Sequence, residues 1–287
     1  SRQLTRGSAG GNIELGGVFM GQKCNTGYSV VNMSMHWYHT YDLRYAKIVY
    51  PFVVEVVNFW QDYLRFEPFT QADDGSLVVT PPAENFKLRP PVGTIKGVPI
   101  DEIPVAELPA GRYVIYDSAI QESCLGDLNN PMDLGMLHNI FTLALDISAE
   151  LGVDADRHET WQHILNNLSK FPTLEKDGKT VFRYSEMGTE WLDGNSVGLH
   201  HIYPTGALGP DDDPKLIEIA RNMLDAKGRP WFSDNGLNSH YPAAVRMGYD
   251  PNVLLKRLRA QGGMANGFQG SIESSTLPNT LNEMLCM

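Results

Sequence analysis

Helical periodicity, broken by long stretches that lack it, is the feature that most limits the folds open to this chain. After Pro131, a residue suited to a first helical turn, apolar residues recur at steps of three and four up to Leu151, and Gly152 ends the pattern. A second apolar stripe follows at once, from Asp154 to Ser169. Two helices joined this closely form an antiparallel pair.

The same periodicity predicts further helices. One runs from Thr26 to the turn at Thr40, and Asp42 is a good N-cap for the next. Because Pro51 is costly in a helix interior, we expect this second helix to end near Tyr50 and to start again at Pro51. The remaining predicted helices start at Asp213 and cover Asn238 to Met247, Pro251 to Arg259 and Pro278 to Cys286.

Two long stretches, Phe66 to Pro131 and Phe171 to Asp212, separate the helices and are rich in proline and glycine. Short β-favouring runs such as Leu77–Val79 occur in the first, but no helical period does. Irregular segments this long in a compact domain usually line a site. Helix pairs with their long loops at one end predict an all-α fold, an (α/α)6-type helical toroid whose loops form a cleft.

The organisation along the chain is predicted to be simple. No Pro/Gly linker divides the helices, so residues 25–287 are expected to form one helical-toroid domain. The chain starts at Ser1, and its first residues are polar and glycine-rich, so residues 1–24 are expected to be a leader or truncated segment.

Charge and composition exclude several classes of function. The chain has 23 Lys and Arg residues against 34 Asp and Glu residues, a net charge of −11 that repels nucleic acid. No apolar run reaches the roughly 18 residues of a membrane span. Its three cysteines form no C-x-x-C pair, and no glycine-rich segment follows a strand and opens a helix. We therefore expect no nucleic-acid partner, membrane span, structural metal or cofactor.

Glu84 is a candidate proton donor in the first long stretch. It lies in Thr80–Phe86, a segment made rigid by Pro81 and Pro82. Partly apolar surroundings raise the pKa of a carboxyl group and suit it to donate a proton. A solvated loop glutamate is the alternative.

The second long stretch carries a candidate sugar-binding set. Glu190 and Trp191 place an acid beside an indole, and His200 and His201 follow. Aromatic rings next to carboxylates and imidazoles commonly hold sugars; the alternative is a core Trp with two surface histidines. A metal site formed by both histidines and His240 is disfavoured because adjacent side chains point apart and no H-E-x-x-H spacing exists.

Several motifs in order resemble the catalytic helical barrel of glycoside hydrolase family 95, inverting enzymes that remove α-L-fucose or α-L-galactose. The matching segments are Met35–Asp42, Phe59–Leu64, Asp74–Val78, Pro82–Asn85, Asn130–Asp133, Glu190–Leu192, Tyr203–Pro204, Pro230–Ser233, Arg246–Gly248 and Asn282–Leu285. The resemblance covers about residues 25–287 and implies an oligosaccharide or polysaccharide substrate and a secreted or periplasmic location.

The resemblance also assigns roles to residues. Pro82–Asn85 is similar to the family loop ending in Ser-Pro-Glu, whose glutamate is the general acid, so Glu84 is expected to be that acid with Asn85 binding sugar. Where family members carry Asp-Gly-Asn-Phe-Gly, this chain has Gly270–Ser274, and Glu273 is the acid nearest to the expected base. An inverting pair stands roughly 6.5 to 9.5 Å apart, which leaves room for a water molecule.

Two other functions remain open on the sequence. One is a non-catalytic carbohydrate-binding or degenerate helical domain, favoured by the missing Asp-Gly-Asn motif. The other is a different toroid enzyme, such as a phosphorolytic relative or a polysaccharide lyase. A lyase needs a Tyr or His base with Arg or Lys facing a uronate, a polyanion that the net charge of −11 disfavours.

Overall fold

Helices form where the apolar periodicity is strongest, and short strands form between them. The computed structural model describes residues 21–80, 82, 85–121, 124, 126–228, 231, 239–265 and 276–286. Its α-helices are α1 (Asn25–Thr40), α2 (Leu43–Tyr63), α3 (Pro131–Leu151), α4 (His158–Asn166), α5 (Pro214–Ala226), α6 (His240–Arg246), α7 (Pro251–Ala265) and α8 (Thr276–Cys286). Its strands are β1 (Arg65–Pro68), β2 (Thr70–Gln71), β3 (Leu77–Val78), β4 (Thr94–Ile95), β5 (Val98–Pro99), β6 (Gly111–Val114), β7 (Thr173–Lys176) and β8 (Lys179–Phe182).

The turn between α1 and α2 forms as predicted. Tyr41 ends α1 in a left-handed conformation (φ 47°), and the Asp42 carboxylate accepts a hydrogen bond from Arg44 N–H at 2.8 Å as the cap of α2. The expected break at Pro51 is wrong, because α2 is continuous from Leu43 to Tyr63. Pro51 is exposed, so its ring lies in solvent and the helix loses one hydrogen bond without a steric clash in the core.

Helix α3 is the centre of the molecule, with α1, α2 and α4 packed around it. Asn130 caps its start by accepting a hydrogen bond from Asp133 N–H at 2.9 Å, and Gly152 ends it with φ 67°. Two glycines allow neighbours to approach closely. A Cβ on Gly27 would lie 2.9 Å from Met136 Sδ, and one on Gly135 would lie 2.7 Å from His201 Cα.

The described strands form four two-stranded antiparallel sheets, β1–β6, β2–β3, β4–β5 and β7–β8. In the first sheet, Arg65 pairs with Val114 and Pro68 with Gly111, so it brings together residues almost 50 apart in sequence within the stretch between α2 and α3. Strands β7 and β8 are joined by Asp177 and Gly178, which have φ values of 52° and 75°. Two left-handed residues in succession are typical of a tight hairpin turn.

These sheets correct the predicted fold class. Helix makes up about 51% and strand about 12% of the described structure, so the fold is mixed α/β and the all-α, (α/α)6-type toroid is wrong. The error came from treating 66–131 and 171–212 as irregular. Backbone groups in these stretches pair with each other, and the β1–β6 pairing joins residues too far apart in sequence for a local pattern to indicate it.

The apolar core extends from Cys24 to Leu258 and includes the inner faces of the helices. A second, small cluster consists of Val114, Tyr116 and Leu128, with Phe86 and Met187 packed against it. This small cluster connects three segments that are distant in sequence. Within the described residues, no helix combines the length and the apolar character that a membrane span requires.

Candidate functional site

Three helices begin at one end of the molecule, where polar side chains concentrate. The Cys24 thiol lies 3.8 Å from Met132 Sδ, which joins the starts of α1 and α3. The Ser239 hydroxyl, just before α6, donates to Ser196 Oγ at 3.0 Å. We call this region the loop end and define it by these helix starts together with segments 85–88, 117–130 and 184–200.

Asp133 is a fully buried carboxyl group in the first turn of α3. Its Oδ2 accepts hydrogen bonds from Ser118 Oγ and, at 2.7 Å, from Asn130 Nδ2. Asn130 and Asp133 thus bond each other reciprocally, which stabilises the helix start. Burial raises the pKa of Asp133 to about 6 despite these bonds and the nearby Lys23 ammonium. The loop end therefore contains an acid that titrates close to neutral pH.

The half-buried Tyr28 and the buried His200 form a hydrogen-bonded pair at the loop end. Tyr28 Oη lies 2.6 Å from His200 Nδ1, and the tautomer of the imidazole decides which group donates. His200 is 2% exposed, and burial lowers its pKa to about 3. Burial also raises the pKa of Tyr28 well above its usual value. Both side chains are therefore neutral at pH 7.

Polar groups hold the described parts of segment 117–129, which are residues 117–121, 124 and 126–129. Both terminal residues adopt left-handed conformations, with φ 50° and φ 48°. The carboxylate of Asp127 accepts hydrogen bonds from Thr189 N–H at 2.7 Å and from Ile120 N–H at 3.2 Å. The loop is thereby tied to the segment that leads to Trp191. Asp117 is half-buried, and burial raises its pKa.

Lys227 packs against Trp191 and is almost completely buried, with 1% of its surface exposed. Its Nζ lies 4.2 Å from the ring centroid of Trp191 and 4.4 Å from that of Tyr184. The same amino group donates hydrogen bonds to Tyr184 Oη and to the Leu192 carbonyl. Burial lowers the pKa of Lys227 to about 7. The half-buried indole thus packs against the amino group of Lys227, and Lys176 Nζ lies 5.0 Å from the same ring.

The two predicted catalytic acids, Glu84 and Glu273, lie outside the described residues. The next residue after the expected acid, Asn85, is exposed, and Phe86 is packed into the small apolar cluster. Asn85 therefore lies in a loop that is anchored to the loop end.

The predicted sugar-binding residues of the second stretch do not all lie together. Glu190 is exposed and forms an ion pair with Arg183 at 3.6 Å, whereas Trp191 is half-buried. His200 faces Tyr28 at the loop end. His201 points the other way, into the core.

The ring of His201 is fully buried between Phe171 and Phe182, at centroid distances of 4.6 and 4.5 Å. Burial lowers its pKa to about 3, and neither ring nitrogen has a hydrogen-bond partner among the described residues. His240 is fully buried as well. Over the described side chains, no three His, Cys, Asp or Glu residues group closely enough to hold a metal ion.

Sequence analysis missed Asp133, Tyr28 and Lys227 as site residues. The sequence does indicate a role for Asp133, because Asn130 followed three residues later by an acid resembles a helix-capping pair. Tyr28 and His200 are 172 residues apart, and a pattern within one segment cannot indicate their contact. Lys227 follows an ordinary helix end, where a solvated lysine is the expected residue.

Comparison with models of protein families and with curated proteins finds no match for this chain.

Proposed function

We propose that the chain is an inverting glycoside hydrolase that acts on terminal α-L-fucosides or related α-L-galactosides and that its active site is at the loop end. One observation carries this proposal. The segments that carry Asn85 and Trp191 are distant in sequence but are linked through Phe86 and Met187, which pack on one small apolar cluster, and His200 contacts Tyr28 in the first turn of α1.

Specific contacts support the convergence of these segments. Phe86, beside Asn85, packs with Met187 against the small apolar cluster. The carbonyl of Met187 accepts a hydrogen bond from Leu128 N–H at 3.0 Å, which ties it to the Asp117–Asn129 loop. Trp191 follows four residues later and is fixed by Lys227.

In the proposed reaction, Glu84 donates a proton to the leaving glycosidic oxygen as the bond from that oxygen to the anomeric carbon breaks. Glu273 removes a proton from a water molecule, whose oxygen forms the new bond to the anomeric carbon from the opposite face. Trp191 packs against the apolar face of the sugar, while Asn85 and Glu190 hydrogen-bond to its hydroxyl groups. His200 is buried against Tyr28, so it supports this site from behind, whereas His201 is buried in the core and takes no part in it.

A proton NMR time course with 2′-fucosyllactose tests the proposal. We expect β-L-fucose to be released first, as inversion requires. Glu84→Gln should lower kcat by at least about 100-fold, because a general acid contributes that much or more. The loss should be smaller with p-nitrophenyl α-L-fucoside, whose leaving group departs with little need for a proton.

Glu150→Gln is the matched control, since Glu150 is exposed near the opposite end of α3 and should leave kcat unchanged. Two results would contradict the proposal. One is that no sugar is released from α-L-fucosides or α-L-galactosides at any enzyme concentration, and the other is that Glu84→Gln retains most of the activity.

A polysaccharide lyase is the second candidate, and the Tyr28–His200 hydrogen bond favours it because a lyase removes a proton with such a side chain. The raised pKa of Tyr28 makes its phenolate a minor species at neutral pH, which is why we rank the hydrolase first. Ultraviolet-absorbing unsaturated products from polygalacturonate, lost in Tyr28→Phe, would favour the lyase.

A further inference from the structure

A cavity of about 740 Å³ lies between the β2–β3 hairpin and segment 166–173, and we call it the hairpin cavity. Its volume is in the range of small-molecule sites, about 300–1,000 Å³. One wall contains Phe69, Leu77 and Val79, and the opposite wall contains Phe171 and Pro172. The apolar side chains of Leu77 and Val79, which line this concave surface, are 59% and 50% exposed.

The floor of the cavity is polar and contains a paired charge. Arg112 donates two hydrogen bonds to the Glu186 carboxylate, at 2.7 and 3.0 Å, and both residues line the cavity. A second carboxylate, Glu67, lies 3.7 Å from the same guanidinium. Two carboxylates therefore face one guanidinium, and Lys170, an exposed residue that also lines the cavity, brings the charges around it to two positive and two negative, a balance that favours neither an anionic nor a cationic ligand.

Polar groups at the cavity surface complement its apolar walls. Asn166, Asn167 and Thr173, on the same side as Phe171 and Pro172, carry amide and hydroxyl groups that line the cavity. A neutral sugar has apolar C–H faces and a rim of hydroxyl groups, so it matches such a surface better than a uniformly apolar or a charged ligand does.

One wall and the floor of the cavity lead to residues that precede the proposed acid in sequence or contact a residue that follows it. Val79 is followed by Thr80, whose hydroxyl donates to the Pro68 carbonyl, and then by the segment that contains Glu84. Glu186 is followed by Met187, which packs with Phe86 against the small apolar cluster. Residues that line the cavity are therefore close in sequence to residues of the loop end.

We infer that the hairpin cavity binds the leaving-group side of the substrate, as a site for neutral oligosaccharide units beyond the sugar that is cleaved. The inference rests on the proposed function for its place in the reaction. The choice of a neutral glycan rests on the walls, the polar surface groups and the charge of the floor.

Calorimetric titration of the full chain tests the inference with cellotetraose, xylotetraose and 2′-fucosyllactose as neutral probes and tetragalacturonate as the anionic probe. The variant is the double substitution Leu77→Ser and Val79→Ser. Its matched control, Ile48→Ser with Val153→Ser, changes two exposed apolar residues that do not line the cavity. Thermal unfolding verifies that both variants remain folded.

We expect at least one neutral probe to bind and its Kd to rise about tenfold or more in the Leu77/Val79 variant, because apolar contact area is lost. The control variant should keep the wild-type Kd, and tetragalacturonate should not bind. The inference is overturned if no neutral probe binds, if the Leu77/Val79 variant binds as tightly as wild type, or if tetragalacturonate binds more tightly than the neutral probes.

Turnover separates this inference from the hydrolase proposal. If sugar is released but KM for 2′-fucosyllactose is the same in the Leu77/Val79 variant, the cavity inference fails and the hydrolase stands. If no sugar is released but the variant loses binding, the hydrolase fails and the cavity stands as a neutral-glycan site.

Discussion

Glu186→Gln tests how strongly the buried ion pair under the hairpin cavity contributes to stability. The Arg112 side chain is 9% exposed and that of Glu186 is 26% exposed, so both charges have lost most of their water. The substitution keeps the shape of the side chain and removes its charge. Arg112 would then retain only the Glu67 carboxylate, at 3.7 Å.

The expected cost follows from these contacts. Two charge-assisted hydrogen bonds join Arg112 to Glu186, and each such bond contributes about 1.5–3 kcal/mol. A glutamine oxygen can still accept one of them, while its amide group faces a guanidinium N–H. Glu67 still neutralises part of the Arg112 charge. We therefore expect the free energy of unfolding to fall by about 2–4 kcal/mol, near the lower part of the range for broken buried ion pairs.

Glu190→Gln is the matched comparison, because the Arg183–Glu190 pair has the same chemistry at 3.6 Å but a Glu190 side chain that is 65% exposed. Solvent screening limits its expected cost to about 0.5 kcal/mol. Urea unfolding followed by tryptophan fluorescence measures both values. Equal losses in the two variants, or an unchanged free energy of unfolding in Glu186→Gln, would refute the reasoning.

Two further predictions concern helix α3. Gly135→Ala should lower the free energy of unfolding by about 1–3 kcal/mol, because the added Cβ meets the backbone of His201. Gly27→Ala should cost less, because the Met136 side chain that its Cβ meets can move. Denaturant midpoints of the two variants compare these costs directly, and equal costs would contradict the prediction. The folded-state pKa of Asp133, about 6, lies above its unfolded value, so its stabilising contribution at low pH is lost as pH rises through about 6. Asp133→Asn should therefore gain about 2–3 kcal/mol relative to wild type between about pH 4 and about pH 7 in urea titrations, and a difference that is independent of pH would exclude this.

Local signals predicted the helices well because the information lies within each segment. Asn130 and Gly152, for example, mark both ends of α3 in the sequence and act as its caps. Strand pairing was harder to predict. The Asp177–Gly178 turn was readable as a hairpin signal, but the pairing of β1 with β6 depends on contacts across the long excursion between α2 and α3.

The candidate site was predictable only as separate side chains. Sequence reasoning selected Asn85, Trp191 and His200 by their chemistry, but it could not tell that His201 faces the core, because the backbone conformation of that segment decides which neighbour points inward. It also could not find Lys227. A lysine becomes buried only when aromatic rings and carbonyl groups from distant segments surround it.

The burial of Lys227 has a consequence for recognition. Its amino group donates hydrogen bonds to the Leu192 carbonyl and Tyr184 Oη while lying against Trp191, so outward movement of this loop would break several desolvated contacts at once. The indole is therefore preorganised. When a ligand stacks on this indole, the protein loses little conformational entropy, because folding has already fixed the side chain. This lower entropic cost increases the affinity.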